Sequence, residues 1–248
     1  SVRSDAEISV TLNPYPVVVA GSTDADRDAG RRVDGVANRL WYDALLRGRY
    51  PDDVLADFEA VSDLSHIQAG DASQIARPID ALGINYYRRH HVRARKGASA
   101  GPGGQWPGSR DVELVTPAGQ VTDGGWAIEP DGLTEALVQL TTEHAPPPLY
   151  VHEAGAAFDD VPGPDGDVDD ARRIAWLQGH VEAAAAAIAR GVDLRGFFVW
   201  SLLDNFEWAE GYSHRFGLVH VDFGTQARTP KRSARWFTDV MRANGLGR

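Results

Sequence analysis

Apolar runs bounded by Gly, Pro or Asn recur along the chain and alternate with stretches of helical periodicity. Four such runs and one shorter apolar pair can be distinguished: Ile8 to Asn13, Ile79 to Tyr87, Leu149 to Glu153, Gly196 to Leu203, and Val219 with Val221. Continuous apolar runs of this length are typical of strands that are buried on both faces of a sheet. The pattern therefore predicts four main buried strands.

The clearest helical pattern lies between the third and fourth runs, from Asp170 to Arg190. Gly191 follows it, at the position where a helix commonly ends. We expect the buried face of this helix to consist of Ile174, Leu177, Val181, Ala185 and Ile188. Strand and helix therefore alternate, which indicates an α/β fold of parallel βα units with a ligand site at the carboxyl ends of the strands.

The number of units is too small for a closed barrel. The chain has 248 residues, close to the roughly 250 of a complete eight-stranded βα barrel, yet only four units are found. A Gly- and Pro-rich connection at about 97–125 takes up part of the length and is typical of an active-site loop. We expect residues 1–248 to form a single domain whose exposed strand edges pair with a missing half or with a second copy.

Composition narrows the possible partners. The chain carries 35 acidic and 25 basic residues, a net charge of −10, which argues against a nucleic-acid partner. No segment approaches the roughly 18 consecutive apolar residues of a membrane span, so no membrane is expected. The absence of cysteine excludes disulfides, thiolate metal sites and cysteine nucleophiles, and the sequence implies no cofactor or metal.

Two compositional details bear on the origin of the chain. All basic residues except Lys96 and Lys231 are arginine, a bias that suggests a GC-rich genome and a bacterial, cytoplasmic protein. The sequence begins at Ser1 and its one methionine is Met241, so we expect the translational start to lie upstream.

Two short motifs have simple structural explanations. Gly97-Ala-Ser-Ala-Gly101 matches the Gly-x-Ser-x-Gly elbow of serine hydrolases, but it lacks the strand before it and the helix after it that this chemistry needs. His90 and His91 lie in a basic run at 88–96. Adjacent strand residues point to opposite faces and no nearby carboxylate completes a ligand set, so we interpret this run as a solvated face.

Two strand ends carry the informative chemistry. In Pro148 to Gly155, an apolar strand ends at Glu153, and small residues follow that leave space over the carboxylate. Trp200 to Phe216 concentrates Trp, Glu, Asp and Asn directly after another strand. Aromatic faces stack on a pyranose ring while carboxylates and amides bind its hydroxyls. The combination predicts a sugar site, the alternative being that the aromatic residues are core and the glutamates are solvated.

These segments resemble the C-terminal half of a β-glucosidase of glycoside hydrolase family 1. The landmarks that carry the resemblance are Val10-Thr-Leu-Asn13, Leu40-Trp-Tyr-Asp43, Gly48-Arg-Tyr-Pro51, Leu82-Gly-Ile-Asn-Tyr-Tyr87, Gly125-Trp-Ala-Ile-Glu-Pro130, Tyr150-Val-His-Glu-Ala-Gly155, Trp200 to Phe216, and Thr225-Gln-Ala-Arg-Thr-Pro-Lys231. The resemblance covers nearly the whole chain. It implies strands five to eight of a TIM (β/α)8 barrel.

The resemblance also implies roles for individual residues. Glu153 would be the catalytic nucleophile and Tyr87 the tyrosine that donates a hydrogen bond to it, with Asn85 close by in the pocket. The other implied sugar contacts are Glu207 and Trp208 for the glycone hydroxyls, Trp200 for the stacking floor, Phe216 for the wall and Trp126 for the aglycone side.

A retaining glycosidase needs two carboxyl groups about 5 to 5.5 Å apart. Judged from the residues alone, Glu153 and Glu207 form the natural pair, because each follows its own strand. The resemblance instead places the acid/base glutamate in an Asn-Glu-Pro motif after the fourth strand, which this sequence lacks. Glu129-Pro130 does not replace it, because it precedes a helix starting near Asp131.

We therefore expect a retaining β-glucosidase whose acid/base glutamate comes from an N-terminal half. The alternative is a noncatalytic sugar-binding protein. Two departures from the family pattern flank the nucleophile: where the family usually has Thr-Glu-Asn-Gly, this chain has His152 before Glu153 and Ala154 after it. Strand alternation predicts that His152 points away from the pocket.

Overall fold

The computed structural model describes residues 5–98 and 104–246. Its strands are β1 (Ser9–Leu12), β2 (Val17–Val19), β3 (Ala81–Tyr86), β4 (His90–Ala94), β5 (Val112–Leu114), β6 (Leu149–Ala154), β7 (Leu194–Val199), β8 (Val219–Val221) and β9 (Arg228–Pro230). Its α-helices are α1 (Asp24–Asp34), α2 (Leu40–Arg47), α3 (Asp52–Phe58), α4 (Asp71–Ile75), α5 (Asp131–His144), α6 (Ala171–Ala189) and α7 (Arg232–Ala243). A π-helical turn (Gly35–Arg39) joins α1 to α2, and a 3-10 turn covers Trp208–Glu210.

The four predicted strands form one parallel sheet in the order β1-β3-β6-β7. We call this sheet, together with the helices α5 and α6 that pack on it, the half-barrel. Its last strand, β7, ends at Val199, so the segment from Trp200 to Leu203 lies beyond the strand instead of inside it. Val219 and Val221 belong to β8, which pairs with β9 in a separate antiparallel ladder. The sequence thus predicted the central sheet, and the bounds of its last strand were wrong.

The outer face of the half-barrel is the apolar core. Side chains of alternate strand residues, including Leu82, Ile84 and Val151, are buried against α5 and α6. The opposite, inner face carries Thr11 and Gly83. This alternation arises because successive strand residues point to opposite faces.

Helix α6 buries a different face from the predicted one. Its buried residues are Arg173, Trp176, Leu177, His180, Ala183, Ala184 and Ala187, whereas Ile188 is 52% exposed. Only Leu177 of the predicted face is buried. The apolar periodicity failed because Arg173 and His180 are polar members of the buried face: Arg173 is paired with acids, and His180 stacks on Trp176 at a ring distance of 3.5 Å. Gly191 follows α6 with φ of +92°, as predicted.

A second sheet, β2-β4-β5, packs beside α1 and was not predicted. It orders part of the long connection at 97–125, because β5 pairs antiparallel with β4 and Val121 forms a bridge with Ala127. Residues 99–103 of that connection, with most of the Gly97 to Gly101 motif, lie outside the described residues.

The basic run at 88–96 is not a solvated face, because most of it lies in the central strand of this second sheet. His90 is 3% exposed and stacks on Tyr15 with ring centroids 4.0 Å apart. His91 points to the other side, where its Nε2 lies 2.9 Å from Oε2 of Glu129. The prediction of opposite faces was right, whereas the prediction of solvent exposure was wrong. The single contact of His91 with Glu129 pairs one histidine with one carboxylate.

In the described part of the chain, no helix combines the length and apolar character needed to cross a bilayer. Within residues 5–98 and 104–246 there is also no group of three or more His, Asp or Glu side chains that could hold a metal ion.

Candidate active site

A β-bulge in β6 places two consecutive side chains on the inner face. Ile84 lies opposite Val151, but the next residue, Asn85, lies opposite Glu153, so β6 contains one extra residue. His152 Nδ1 consequently lies 2.8 Å from Thr11 Oγ1 on the inner face. The prediction that His152 points away from the pocket was wrong, because strand alternation does not hold across a bulge.

The imidazole of His152 lies over the backbone of β3. A Cβ atom placed on Gly83 would come within 2.1 Å of His152 Nδ1, so the ring occupies the volume that a side chain at 83 would need. The ring also meets Phe198 of β7 edge-on, with centroids 6.1 Å apart. His152 thus spans the inner face from β1 to β7 directly beside Glu153.

Glu153 stands at the carboxyl end of β6 and is bound by a tyrosine. The hydroxyl of Tyr87, which follows β3, donates to Glu153 Oε2 at 2.6 Å. Burial, followed by this hydrogen bond to Glu153, raises the pKa of Tyr87 above its ordinary value. The phenol therefore stays protonated and acts as a donor, which fixes the orientation of the carboxylate.

Two further aromatic rings pack against Tyr87. Trp126 meets Tyr87 edge-on with centroids 5.6 Å apart, and Phe216 meets Tyr87 in the same manner at 6.5 Å. Trp126 and Phe216 are 6.0 Å apart. Trp126 reaches this position because a short turn closes on itself, with the Thr122 N–H donating to the Trp126 carbonyl at 2.8 Å.

The segment after β7 supplies a second carboxylate. The indole Nε1 of Trp200 donates to Glu207 Oε2 at 3.3 Å. A Cβ on Gly155 would lie 1.9 Å from the Trp200 carbonyl oxygen, so the two strand ends meet in backbone contact. The small residues after Glu153 allow β6 and β7 to approach this closely, and Ala154 is fully buried.

Trp208 and Asn85, the other two predicted sugar contacts, lie in contrasting environments: one is exposed and the other has a buried amide oxygen. Trp208 is 81% exposed and has no ring contact with an aromatic residue of the described chain. The amide oxygen of Asn85 is buried and has no hydrogen-bond partner within the described residues. A buried, unpaired acceptor is costly, so Asn85 presents a free acceptor on the inner face at the register of Glu153.

A buried ion network lies beneath the segments that carry the site. Lys231 is fully buried, and its Nζ donates to Asp160 and, at 2.9 Å, to Asp204 Oδ1. Arg173 donates to Asp160 and to the carbonyl oxygen of Phe216 at 3.3 Å. The network therefore connects the segments after β6 and β7 with α6 and with the start of α7.

Two residues near the site were not singled out by the sequence. Tyr15, after β1, accepts a hydrogen bond from Asn13 at 2.6 Å, and burial raises its pKa. The guanidinium of Arg88 lies 4.9 Å from the ring centroid of Trp126. The sequence pointed to these two residues only through their neighbours, because Tyr15 follows a predicted strand and Arg88 directly follows Tyr87.

The fold and the site together define a class of protein: a parallel βα barrel with its site at the carboxyl ends of the strands. The sequence model of glycosyl hydrolase family 1 matches residues 1–246. The chain belongs to glycosyl hydrolase family 1, and its strands correspond to the C-terminal half of the family's (β/α)8 barrel.

Named relatives agree with this assignment. Thermostable beta-glucosidase B of Thermobispora bispora is 43% identical over 97% of this chain and 48% of its own length. Beta-glucosidase A of Thermotoga maritima is 41% identical over 98% of this chain and 52% of its own length. The chain thus spans about half the length of the curated relatives that it matches.

Solved structures give the same alignment in space. A family 1 β-glucosidase from Thermotoga maritima superimposes with a TM-score of 0.88 at 39% identity, over 98% of this chain and 52% of its own. A psychrophilic β-glucosidase from Micrococcus antarcticus gives a TM-score of 0.89 at 39% identity, over 97% of this chain and 54% of its own.

Proposed function

We propose that this chain supplies the nucleophile half of a retaining β-glucosidase. The observation that carries the proposal is the hydrogen bond from Tyr87 to Glu153 at the carboxyl end of β6. The Thermotoga maritima β-glucosidase has been solved with deoxynojirimycin and with castanospermine bound, which supports a saccharide as the ligand. The substrate is a β-glucoside or a related small saccharide.

In this function Glu153 attacks the anomeric carbon of the glycone, and the bond to the aglycone oxygen breaks as the glycosyl ester forms. Water then hydrolyses the ester, which releases the sugar and regenerates the carboxylate. Tyr87 holds the carboxylate in position for this attack. Trp200 provides the floor beneath the pyranose, and its hydrogen bond to Glu207 orients that carboxylate toward sugar hydroxyls. Asn85 offers its unpaired amide oxygen to the same sugar.

The acid/base carboxyl group comes from the N-terminal half of the barrel. Protonation of the leaving group by a positioned acid typically contributes about 10² to 10⁴ in rate. The chain by itself therefore reacts slowly, and only with glucosides whose leaving group needs no protonation. Mixing it with a separately produced N-terminal half restores hydrolysis of an aryl β-glucoside, with retention of configuration.

Covalent labelling tests this assignment. We expect 2,4-dinitrophenyl 2-deoxy-2-fluoro-β-D-glucoside to form a stable ester on Glu153, because the fluorine slows both steps while the good leaving group still permits the first. Peptide mass spectrometry of the chain, alone and mixed with the N-terminal half, locates the adduct. Glu153→Gln serves as the control and should carry none.

A noncatalytic sugar-binding protein gives a different result. It would bind glucose or the fluorinated glucoside without any covalent adduct. An adduct on Glu207 instead of Glu153 would contradict the assignment of the nucleophile and would favour the pairing of Glu153 with Glu207 that their positions after separate strands suggest.

A further inference from the structure

Arg88 is a half-buried cation that has no acidic partner in the described part of the chain. Its guanidinium lies over the face of Trp126 at 4.9 Å from the ring centroid. Within residues 5–98 and 104–246, no carboxylate comes within ion-pair distance of it. Burial lowers the pKa of Arg88, but a guanidinium stays protonated in proteins. Such a group is costly unless an anion or a hydrogen-bond acceptor meets it.

The other arginines show that this arrangement is exceptional in the molecule. The described arginines that are at least partly withdrawn from solvent each have an acidic partner; these pairs include Arg32 with Asp111, Arg39 with Asp53, Arg89 with Glu129 and Glu135, Arg173 with Asp160, and Arg215 with Asp204. Arginines without an ion pair, such as Arg77 and Arg190, are exposed to solvent. Arg88 alone in the described chain combines partial burial with no acid.

Arg88 is linked to the candidate nucleophile through neighbouring aromatic residues. It follows Tyr87 in the chain, and Trp126 contacts both its guanidinium and the ring of Tyr87. The phenol of Tyr15 lies near enough to feel the charges of both Arg88 and Glu153. The cation therefore stands beside the carboxylate site, on the side where Trp126 lies.

We propose that Arg88 and Trp126 form an aglycone subsite that selects β-glucosides whose leaving group carries a carboxylate. This rests on the proposed function: Trp126 packs on Tyr87, which holds the nucleophile, so a leaving group displaced from a sugar at Glu153 can meet the Arg88–Trp126 pair. A guanidinium presents a planar fork of N–H donors that matches a carboxylate bidentately, and the indole holds that fork by a cation–π contact. The carboxylate of the leaving group pairs with Arg88, for which the described residues offer no acid.

The test compares two ligands that differ in charge and hardly in shape. The ligands are 4-carboxyphenyl and 4-carbamoylphenyl β-D-glucopyranoside, and binding to the chain is followed through the indole N–H resonance of Trp126, assigned with Trp126→Phe. We expect the carboxylate to bind about tenfold more tightly than the amide. The preference should disappear in Arg88→Gln and return in part in Arg88→Lys.

Arg77→Gln is the matched control, because it removes the same charge from an exposed arginine and should keep the tenfold preference. Equal binding of the two glucosides by the wild-type chain, or a preference that survives in Arg88→Gln, would overturn the proposal. A preference that vanishes when the N-terminal half is added would also overturn it, since Arg88 would then have its acid from that half.

A sugar-free pair of probes separates this proposal from the proposed function. Benzoate should shift the Trp126 resonance in the wild-type chain and in Arg77→Gln, whereas benzamide should not, and Arg88→Gln should abolish the shift. This contact does not use Glu153. Failure of the fluoroglucoside to label Glu153 therefore refutes the glycosidase assignment, whereas failure of benzoate to shift the resonance refutes the anion subsite.

Discussion

His90 lies between the rings of Tyr15 and Trp106 and is almost completely buried. Burial, with a smaller contribution from the nearby charge of Arg88, lowers its pKa from 6.5 to about 3. Because the folded-state pKa is below the unfolded one, the unfolded chain takes up the proton first as the pH falls. The stabilising contribution of neutral His90 is therefore complete above pH 6.5 and is lost progressively toward pH 3.

Replacing His90 should make the free energy of unfolding depend less on pH below neutrality. In His90→Phe, which keeps a flat ring, the loss of unfolding free energy between pH 7 and pH 5 should be about 2 kcal/mol smaller than in the wild type. Urea denaturation followed by circular dichroism at both pH values measures it. The exposed His66→Phe serves as control and should behave as wild type; an unchanged pH dependence in His90→Phe contradicts the prediction.

At the scale of secondary-structure elements, the buried ion network fixes α7 to the strand ends that carry the site. Burial opposes ionisation of Asp204, but Lys231 and Arg215 outweigh it and lower its pKa. Asp170, at the start of α6, accepts from the Ser233 N–H at 2.8 Å and so adds a second link to α7. The positions of Phe216 and Trp200 thus depend on a helix that contributes no side chain to the site.

Removing the lysine should be strongly destabilising. Lys231→Met leaves Asp160 and Asp204 with one cationic partner fewer in a fully buried environment, and we expect a loss of about 3 kcal/mol in the free energy of unfolding. Chemical denaturation at pH 7 measures the loss. Arg235→Met, which breaks the exposed pair with Asp167 on the same helix, should cost less than about 1 kcal/mol; similar losses in both variants would contradict the network's role.

The same scale shows what the sequence could and could not predict. The strands of the half-barrel were predictable because each is a continuous apolar run, and the contact of Tyr87 with Glu153 followed from the family resemblance. The buried face of α6 was not predictable from apolar periodicity, since Arg173 is buried in ion pairs with Asp160 and Asp170 that apolar spacing does not encode. The side of the sheet on which His152 lies depends on a bulge, which apolar and polar alternation does not encode.

At the scale of the whole molecule, the half-barrel has two open edges. Within the described residues β1 and β7 each have one strand neighbour in the sheet, and apolar side chains beside them are exposed: Ile8 at 57%, Phe198 at 56% and Leu202 at 67%. Open edges next to exposed apolar surface favour association with another chain.

We therefore predict that the chain by itself self-associates. Sedimentation velocity over a range of concentrations should show species larger than 26.9 kDa, and addition of the N-terminal half should replace them with a complex of one copy of each half. A monodisperse monomer at every concentration would contradict the prediction. The matched comparison is the same titration with an unrelated protein of similar size, which should leave the distribution unchanged.

The chain has two lysines, and their different burial makes opening of the buried ion network measurable by lysine acylation. Lys96 is exposed, whereas Lys231 is sealed between the strand ends and α7. An acylating reagent added to the native protein therefore modifies the exposed Lys96 rapidly. Lys231 can be acylated only when the region around it opens transiently. The slow rate of its acylation therefore measures how often the buried ion network opens while the remainder of the chain stays folded.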